Sequence, residues 1–263
     1  MRCAAGAALT VPVAIAEQGP GDAAPGAGDG VPLASTVRTW DLSFASEDRG
    51  LAGTCVAAAA PSGAGVLLVH GLGSSRATNI ERAQALARAH GATCLAIDLG
   101  GHGDSGGRLT RVTPRQNLAD VVAAHDQLVG VPGVDPERIG VCGASYGAYL
   151  SVLLTAMRPV DRLLLRAPAL YADDCFDRVL GQRRFGDPDT APTPLAHLSL
   201  YRGPVAIVES ANDEVIDHAI IAAYLDALPG AAHVVQPGAG HALTEPAWRR
   251  DFQRIVVDFF AGL

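Results

Sequence analysis

Gly143-Ala144-Ser145-Tyr146-Gly147 places a serine among small residues, after a short apolar run (Arg138 to Cys142) and before a helix-like run (Ala148 to Met157). A strand that turns sharply into a helix presents a hydroxyl at the sheet edge, and small neighbours permit the turn. Serine is a weak nucleophile at its own pKa. It needs a base within hydrogen-bond reach and a third group that holds the base in the right tautomer. His241, in the glycine-flanked stretch Gly238-Ala239-Gly240-His241, suits the base, and Asp213, after the apolar run Pro204 to Glu209, suits the orienting acid. The chemistry that such a set supports is attack on a carbonyl through a covalent acyl intermediate.

Three acids stand near the end of the Pro204 to Glu209 run: Glu209, Asp213 and Asp217. Asp213 is preferred because Ala211-Asn212 makes the turn before it and Val215-Ile216 leads into a helix. Asp217 reads as a helix N-cap or first-turn acid, and Glu209 stays the alternative. Attack leaves negative charge on oxygen, and each backbone N–H aimed at it contributes about 2.7 to 4 kcal/mol. One donor is the N–H of Tyr146, directly after the nucleophile. The other is expected from Leu72 in His70-Gly71-Leu72-Gly73, with His70 and Gly71 shaping that loop. Arg166 closes an apolar run and has two readings: it faces the pocket and favours an anionic substrate group, or it pairs with Asp173 or Asp174.

Positioning these residues requires alternating strands and helices, and the chain from Val37 onward alternates in that way. β-rich runs cover Val37 to Phe44, Leu51 to Ala58, Val66 to His70, Thr93 to Ile97, Ile139 to Cys142, Arg162 to Arg166, Val205 to Glu209 and His233 to Gln236. Helical spacing appears through Ile80, Ala83 and Leu86; through Leu118, Val121 and Val122; and through Tyr149, Val152 and Leu153. It recurs from about Ile216 to Leu228 and from about Pro246 to Phe260. The pattern predicts an α/β chain with a mostly parallel eight-stranded sheet between helices, a three-layer α/β/α sandwich led by an antiparallel hairpin.

Residues 36–263 read as one domain, and residues 170–201 interrupt the alternation as a small lid that shapes the acyl or alcohol pocket, or as a loop lying flat on the surface. Residues 1–35 form a low-complexity extension, apolar over residues 1–16 and rich in Gly, Ala and Pro thereafter. Ala14-Ile15-Ala16 fits a signal-peptidase site, although Pro12 and a thin n-region weaken it. A cytoplasmic location is favoured, with secretion or the periplasm as the alternative if residues 1–16 are a signal segment.

All 20 basic residues of this 263-residue chain are arginine. The lack of lysine excludes Schiff-base enzymes, lysine-bound pyridoxal phosphate, Ser-x-x-Lys hydrolases and a P-loop. A formal charge of −7 and scattered arginines give no stripe for a phosphate backbone, so nucleic acid is not an expected partner. Five cysteines without C-x-x-C spacing indicate neither a disulfide framework nor zinc, and no ligand-spaced histidine pair calls for another metal. No apolar run reaches the length of a membrane span. Gly101-His102-Gly103-Asp104-Ser105-Gly106 fits a dinucleotide fingerprint in letters, but Asp104 would face the pyrophosphate and no helix opens at once.

Together these motifs resemble the α/β-hydrolase superfamily of serine hydrolases, in which nucleophile, acid and base follow the chain order Ser, Asp, His. The likeness runs from about Val37 to the end. Asp98-Leu99-Gly100-Gly101-His102-Gly103-Asp104-Ser105 resembles the D-x-x-G-H-G-x-S loop of many members, and Val134-Asp135-Pro136-Glu137-Arg138-Ile139 resembles the segment before the elbow in esterase-like and peptidase-like branches. Ala148 stands where many peptidase relatives carry a second glycine. The resemblance implies a cofactor-independent hydrolase acting on a small-molecule ester or thioester, with a serine aminopeptidase-like activity as the alternative. A cofactor-free haloperoxidase, lyase or acyltransferase shares the same triad, and a binding protein that keeps the fold without turnover is the reading from another class. Oligomeric state and acyl chain length have no signature in these residues.

Overall fold

The computed structural model describes residues 36–186 and 193–263; the expected extension over residues 1–35 lies outside them. Eight strands form one sheet: β1 (Val37–Ser46), β2 (Arg49–Ala58), β3 (Gly65–Val69), β4 (Thr93–Ile97), β5 (Ile139–Ala144), β6 (Arg162–Arg166), β7 (Val205–Ser210) and β8 (Ala232–Gln236). Their spatial order is β1-β2-β4-β3-β5-β6-β7-β8. β1 pairs antiparallel with β2, and β2 antiparallel with β4, whereas the remaining neighbours run parallel.

Among the described residues, six helices flank the sheet: α1 (Ile80–His90), α2 (Pro114–Val129), α3 (Tyr146–Leu154), α4 (Thr193–Leu198), α5 (His218–Ala227) and α6 (Pro246–Phe259). Side chains alternate along the central strands. Leu67, Val69, Leu95, Val141, Leu165 and Ile207 pack with α2, α3 and α5, while Val66, Leu68, Cys94, Leu164 and Val208 pack with α1 and α6. Parallel strands covered on both faces must be apolar throughout, and β3 and β4 are fully buried. Cys94 and Cys142 are buried among these apolar side chains, and burial pushes the Cys142 thiol up to about 12.

Local chemistry explains where elements begin and end. Thr113 and Gln116 form a reciprocal capping box at α2, with Pro114 in its first turn. Gly91 closes α1 in the left-handed region at φ 67°. Strand β3 ends one residue before the expected His70, because the His70 ring turns back to meet the loops after β3 and β4.

Among its described residues, the stretch from residue 170 to 201 has no long periodic element. It contains 3-10 turns at Asp173–Cys175 and Leu180–Gln182, the Tyr171–Phe185 bridge and α4. Leu170, Tyr171, Leu180, Leu195 and Leu198 are buried in the core beside α3 and anchor a stretch whose other described residues are largely exposed. Among the described residues, no helix is long and apolar enough to cross a membrane.

Candidate active site

Ser145 sits between β5 and α3 with φ 52° and ψ −115°, a backbone conformation that L residues rarely adopt. The turn is held by Ser145 N–H donating to Arg166 O at 2.8 Å and by the N–H groups of Ala148 and Ala169 donating to Ser145 O. It is too tight for larger neighbours. A Cβ at Gly147 would overlap the carbonyl oxygens of Val69 and His70, and one at Gly143 would lie 2.6 Å from Ala148 Cα.

His241 reaches the same point from the loop after β8, with Nε2 3.0 Å from Ser145 Oγ. Its Nδ1 faces Asp213 Oδ2 at 2.9 Å and Oδ1 at 3.0 Å. This contact fixes the tautomer, with Nδ1–H donating to the carboxylate and Nε2 left to accept the serine proton. Asp213 Oδ1 also accepts the N–H groups of Val215 and Ile216, at 2.9 and 2.8 Å. Burial pushes the Asp213 carboxyl upward, but the hydrogen bonds from His241, Ile216 and Val215 outweigh it and hold the group below the usual carboxylate range.

The competing acids are engaged elsewhere. Glu209 faces His218 Nδ1 at 2.7 Å and His233 Nε2 at 2.8 Å, and Asp217 caps α5 by accepting Ala219 N–H at 2.8 Å.

Arg166 lines the cleft that holds Ser145, the position the pocket-facing reading gives it. The aspartate pairing is overturned: Asp174 carries Arg178 and Arg184, and Asp173 accepts from Thr193. Arg166 is 6 % exposed and donates from Nη2 to Ser210 Oγ, Gly240 O and His241 O. It reaches the cleft from beneath while bracing the loop that carries His241.

Tyr146 is the first residue of α3, and no described acceptor takes its N–H or that of Leu72. Gly71 brings the Leu72 loop close to the nucleophile, since a Cβ there would lie 3.3 Å from Ser145 Cβ. His70 anchors this loop. Its Nδ1–H donates to Gly71 O at 2.7 Å and its Nε2 accepts Leu99 N–H at 3.1 Å. Burial, the largest influence, lowers its pKa to about 4, so the ring is neutral and structural.

The glycine-rich loop after β4 is consumed internally, with Gly101 N–H on Gly106 O, Ser105 N–H on His102 O and Asp104 N–H on buried Asp98. It leaves no cradle for a pyrophosphate.

The sequence pattern of the family described as "Serine aminopeptidase, S33" matches residues 60–183, the part that carries the nucleophile elbow and the Leu72 loop. An uncharacterized protein of Mycobacterium tuberculosis is 32 % identical over 189 residues, covering 68 % of this chain and 63 % of that protein. A Pyrococcus furiosus esterase superposes with a TM-score of 0.68 at 21 % identity, covering 89 % of this chain and 95 % of that one. The chain has the α/β-hydrolase fold. A thioesterase domain from a curacin biosynthetic pathway shares the superfamily fold at a TM-score of 0.66 and 14 % identity, over 84 % of this chain and 99 % of that domain. The chain spans a little under two thirds of the Mycobacterium tuberculosis relative.

Within this fold, Ser145 and His241 open on a cleft of about 880 Å³. Its walls come from the loop after β3, from α1, and from the segment between His241 and Gln253. None of the described residues between 170 and 201 lines it, so the expectation that this stretch shapes the pocket is not met by its described part. Sequence reasoning also passed over Arg82, Arg249 and Phe252, which line the cleft. They belong to α1 and α6, helices that read locally as ordinary amphipathic packing.

Proposed function

We propose that this protein is a serine hydrolase that cleaves a carboxylic ester or thioester of a small to medium acyl substrate. The observation that carries the proposal is the unbroken line from Asp213 through His241 to Ser145, with 2.9 and 3.0 Å contacts. As Ser145 Oγ attacks the carbonyl carbon, His241 Nε2 takes its proton and Asp213 stabilises the imidazolium. The N–H groups of Tyr146 and Leu72 receive the oxyanion. His241 then protonates the leaving alcohol or thiol, and the acyl-enzyme forms. Water deprotonated by His241 releases the acid and restores the serine. A cleft of about 880 Å³ suits a small molecule, within the usual range of roughly 300–1,000 Å³.

The experiment is mass spectrometry after brief exposure to a fluorophosphonate, comparing wild type with Ser145→Ala and His241→Ala. One adduct on Ser145, absent from both variants, supports the proposal. No adduct on folded wild type overturns it and favours the binding-protein reading.

The name of the matched family favours a second reading, a serine aminopeptidase-like activity. An aminopeptidase must hold a substrate ammonium, yet the charged side chains around this cleft are chiefly Arg82, Arg166, Arg249 and Arg250, with Glu81 the one glutamate among the lining residues. Ester or thioester cleavage therefore stands first. Turnover of aminoacyl p-nitroanilides in preference to p-nitrophenyl esters would reverse that order.

A further inference from the structure

Phe252 is buried, and two guanidinium groups lie over its ring: Arg82 Cζ at 4.8 Å and Arg166 Cζ at 5.8 Å from the centroid. Like charges converging on one aromatic ring repel, and burial strengthens the repulsion. The chain pairs two other largely buried guanidiniums with carboxylates, Arg49 on Asp120 and Arg76 on Asp98. Here it does not. Among the described residues, no carboxylate lies within 4.0 Å of the guanidinium nitrogens of Arg82, Arg166, Arg249 or Arg250.

The polar partners present are neutral and incomplete. Arg82 Nη1 donates to Thr78 O and to Asn79 Oδ1, and Arg166 Nη2 donates to one hydroxyl and two carbonyls. The Nε atoms of both arginines are buried without a partner. Both residues line the cleft that holds Ser145 and His241, and Arg249 and Arg250 stand at its exposed side.

Burial, ahead of other influences, lowers the pKa of Arg166 to about 10 and lowers that of Arg82; Asp213 and Glu214 oppose it at Arg166 and Glu81 at Arg82, while each guanidinium also feels another arginine. The nearby acids do not fill the gap. Asp213 is bound to His241, Glu214 Oε2 accepts His241 N–H at 3.1 Å, and Glu81 is exposed at the cleft edge.

We propose that the cleft selects a substrate carrying an anionic group, a carboxylate or a phosphate, held by Arg82, Arg166 and Arg249 beside the scissile bond. The proposal rests on the serine hydrolase reading and adds the charge of the substrate to it. The anion supplies counter-charge to a cleft lined by four arginines and one glutamate, and a guanidinium fork suits a carboxylate or phosphate.

The test compares two matched substrate pairs. Mono-p-nitrophenyl glutarate against p-nitrophenyl pentanoate places a carboxylate on the acyl side. Butyryl 4′-phosphopantetheine against butyryl pantetheine places a phosphate on the leaving side. In wild type the anionic member of at least one pair is expected to have the higher kcat/KM by about tenfold or more, the scale of one charge-assisted hydrogen bond. That ratio should fall towards one in Arg82→Gln and in Arg249→Gln. Which pair responds identifies the anion.

Ratios near one for both pairs, with the neutral esters turned over, overturn the anionic site and leave the hydrolase reading intact. Ratios unchanged by both substitutions also overturn it. If no ester is cleaved and no fluorophosphonate adduct forms, the hydrolase reading has failed, and calorimetric titration of Ser145→Ala with glutarate and 4′-phosphopantetheine decides the anion site by itself. Binding lost in Arg82→Gln on that background supports the site, and no heat from either anion refutes it.

Discussion

Arg166 donates from Nη2 to the carbonyl oxygen of His241 at 2.8 Å. Its own carbonyl oxygen accepts Ser145 N–H at 2.8 Å, so a single residue braces the backbones of Ser145 and His241. Misplacing a catalytic group by about 1 Å can lower a rate about a hundredfold. Arg166→Met is therefore expected to reduce kcat by about ten- to a hundredfold, with a smaller change in KM for a neutral ester. Arg166→Lys keeps the charge but not the planar fork, so it should recover part of the fluorophosphonate labelling rate. Equal labelling rates in all three proteins would contradict the bracing role.

Asp213→Asn keeps the shape but removes the charge that fixes the His241 tautomer. Loss of about 10³- to 10⁴-fold in kcat is expected, measured with a p-nitrophenyl ester. The same carboxyl links stability to pH. Its folded pKa is lowered, so its stabilising contribution is complete above the ordinary carboxylate value of about 4 and disappears as pH falls through the lower folded value. Urea midpoints taken from pH 7 down to pH 3 should converge for wild type and Asp213→Asn at the acid end.

His70 makes the opposite use of burial. Its pKa falls from 6.5 to about 4 on folding, so the unfolded chain binds the proton more readily. Stability is full above pH 6.5 and declines as pH drops from 6.5 to about 4, where the folded ring also protonates. His70→Gln should flatten the slope of urea midpoint against pH in that window. A variant with the wild-type slope would assign the acid sensitivity to other groups.

Ser145 holds positive φ without being glycine. Replacing it by glycine removes the steric cost of that conformation, of order 1 kcal/mol. Ser145→Gly should therefore unfold at higher urea than Ser145→Ala, although both are inactive. The reverse order would show that the elbow is unstrained.

The layers were readable because strands buried on both faces leave continuous apolar runs, and all eight appear within a few residues of their expected positions. Ser145, Asp213 and His241 were readable because tight loops at strand ends need small residues around one reactive side chain. Glu209 and Asp213 could be ranked by the turn at Ala211-Asn212, which points Asp213 out of β7 and leaves Glu209 on it. The convergence of Arg82 and Arg166 on Phe252 was not readable. Those residues meet only when α1, β6 and α6 are brought to one side of the sheet, and no local periodicity encodes that meeting. The stretch over residues 170–201 was opaque for a related reason: short 3-10 turns and isolated buried leucines carry no repeat.

His241 meets Ser145 across 96 positions of chain, and Asp213 closes on His241 across 28. The contact to the Ser145 hydroxyl is thus strongly non-local, a slow kind of contact for a chain to form. Reactivity towards a serine-directed probe becomes a clock for the last docking event of refolding, whereas far-ultraviolet circular dichroism times the helices. In a stopped-flow refolding experiment from urea the dichroism signal should lead and the probe signal should trail, because the helices can form before the chain ends meet.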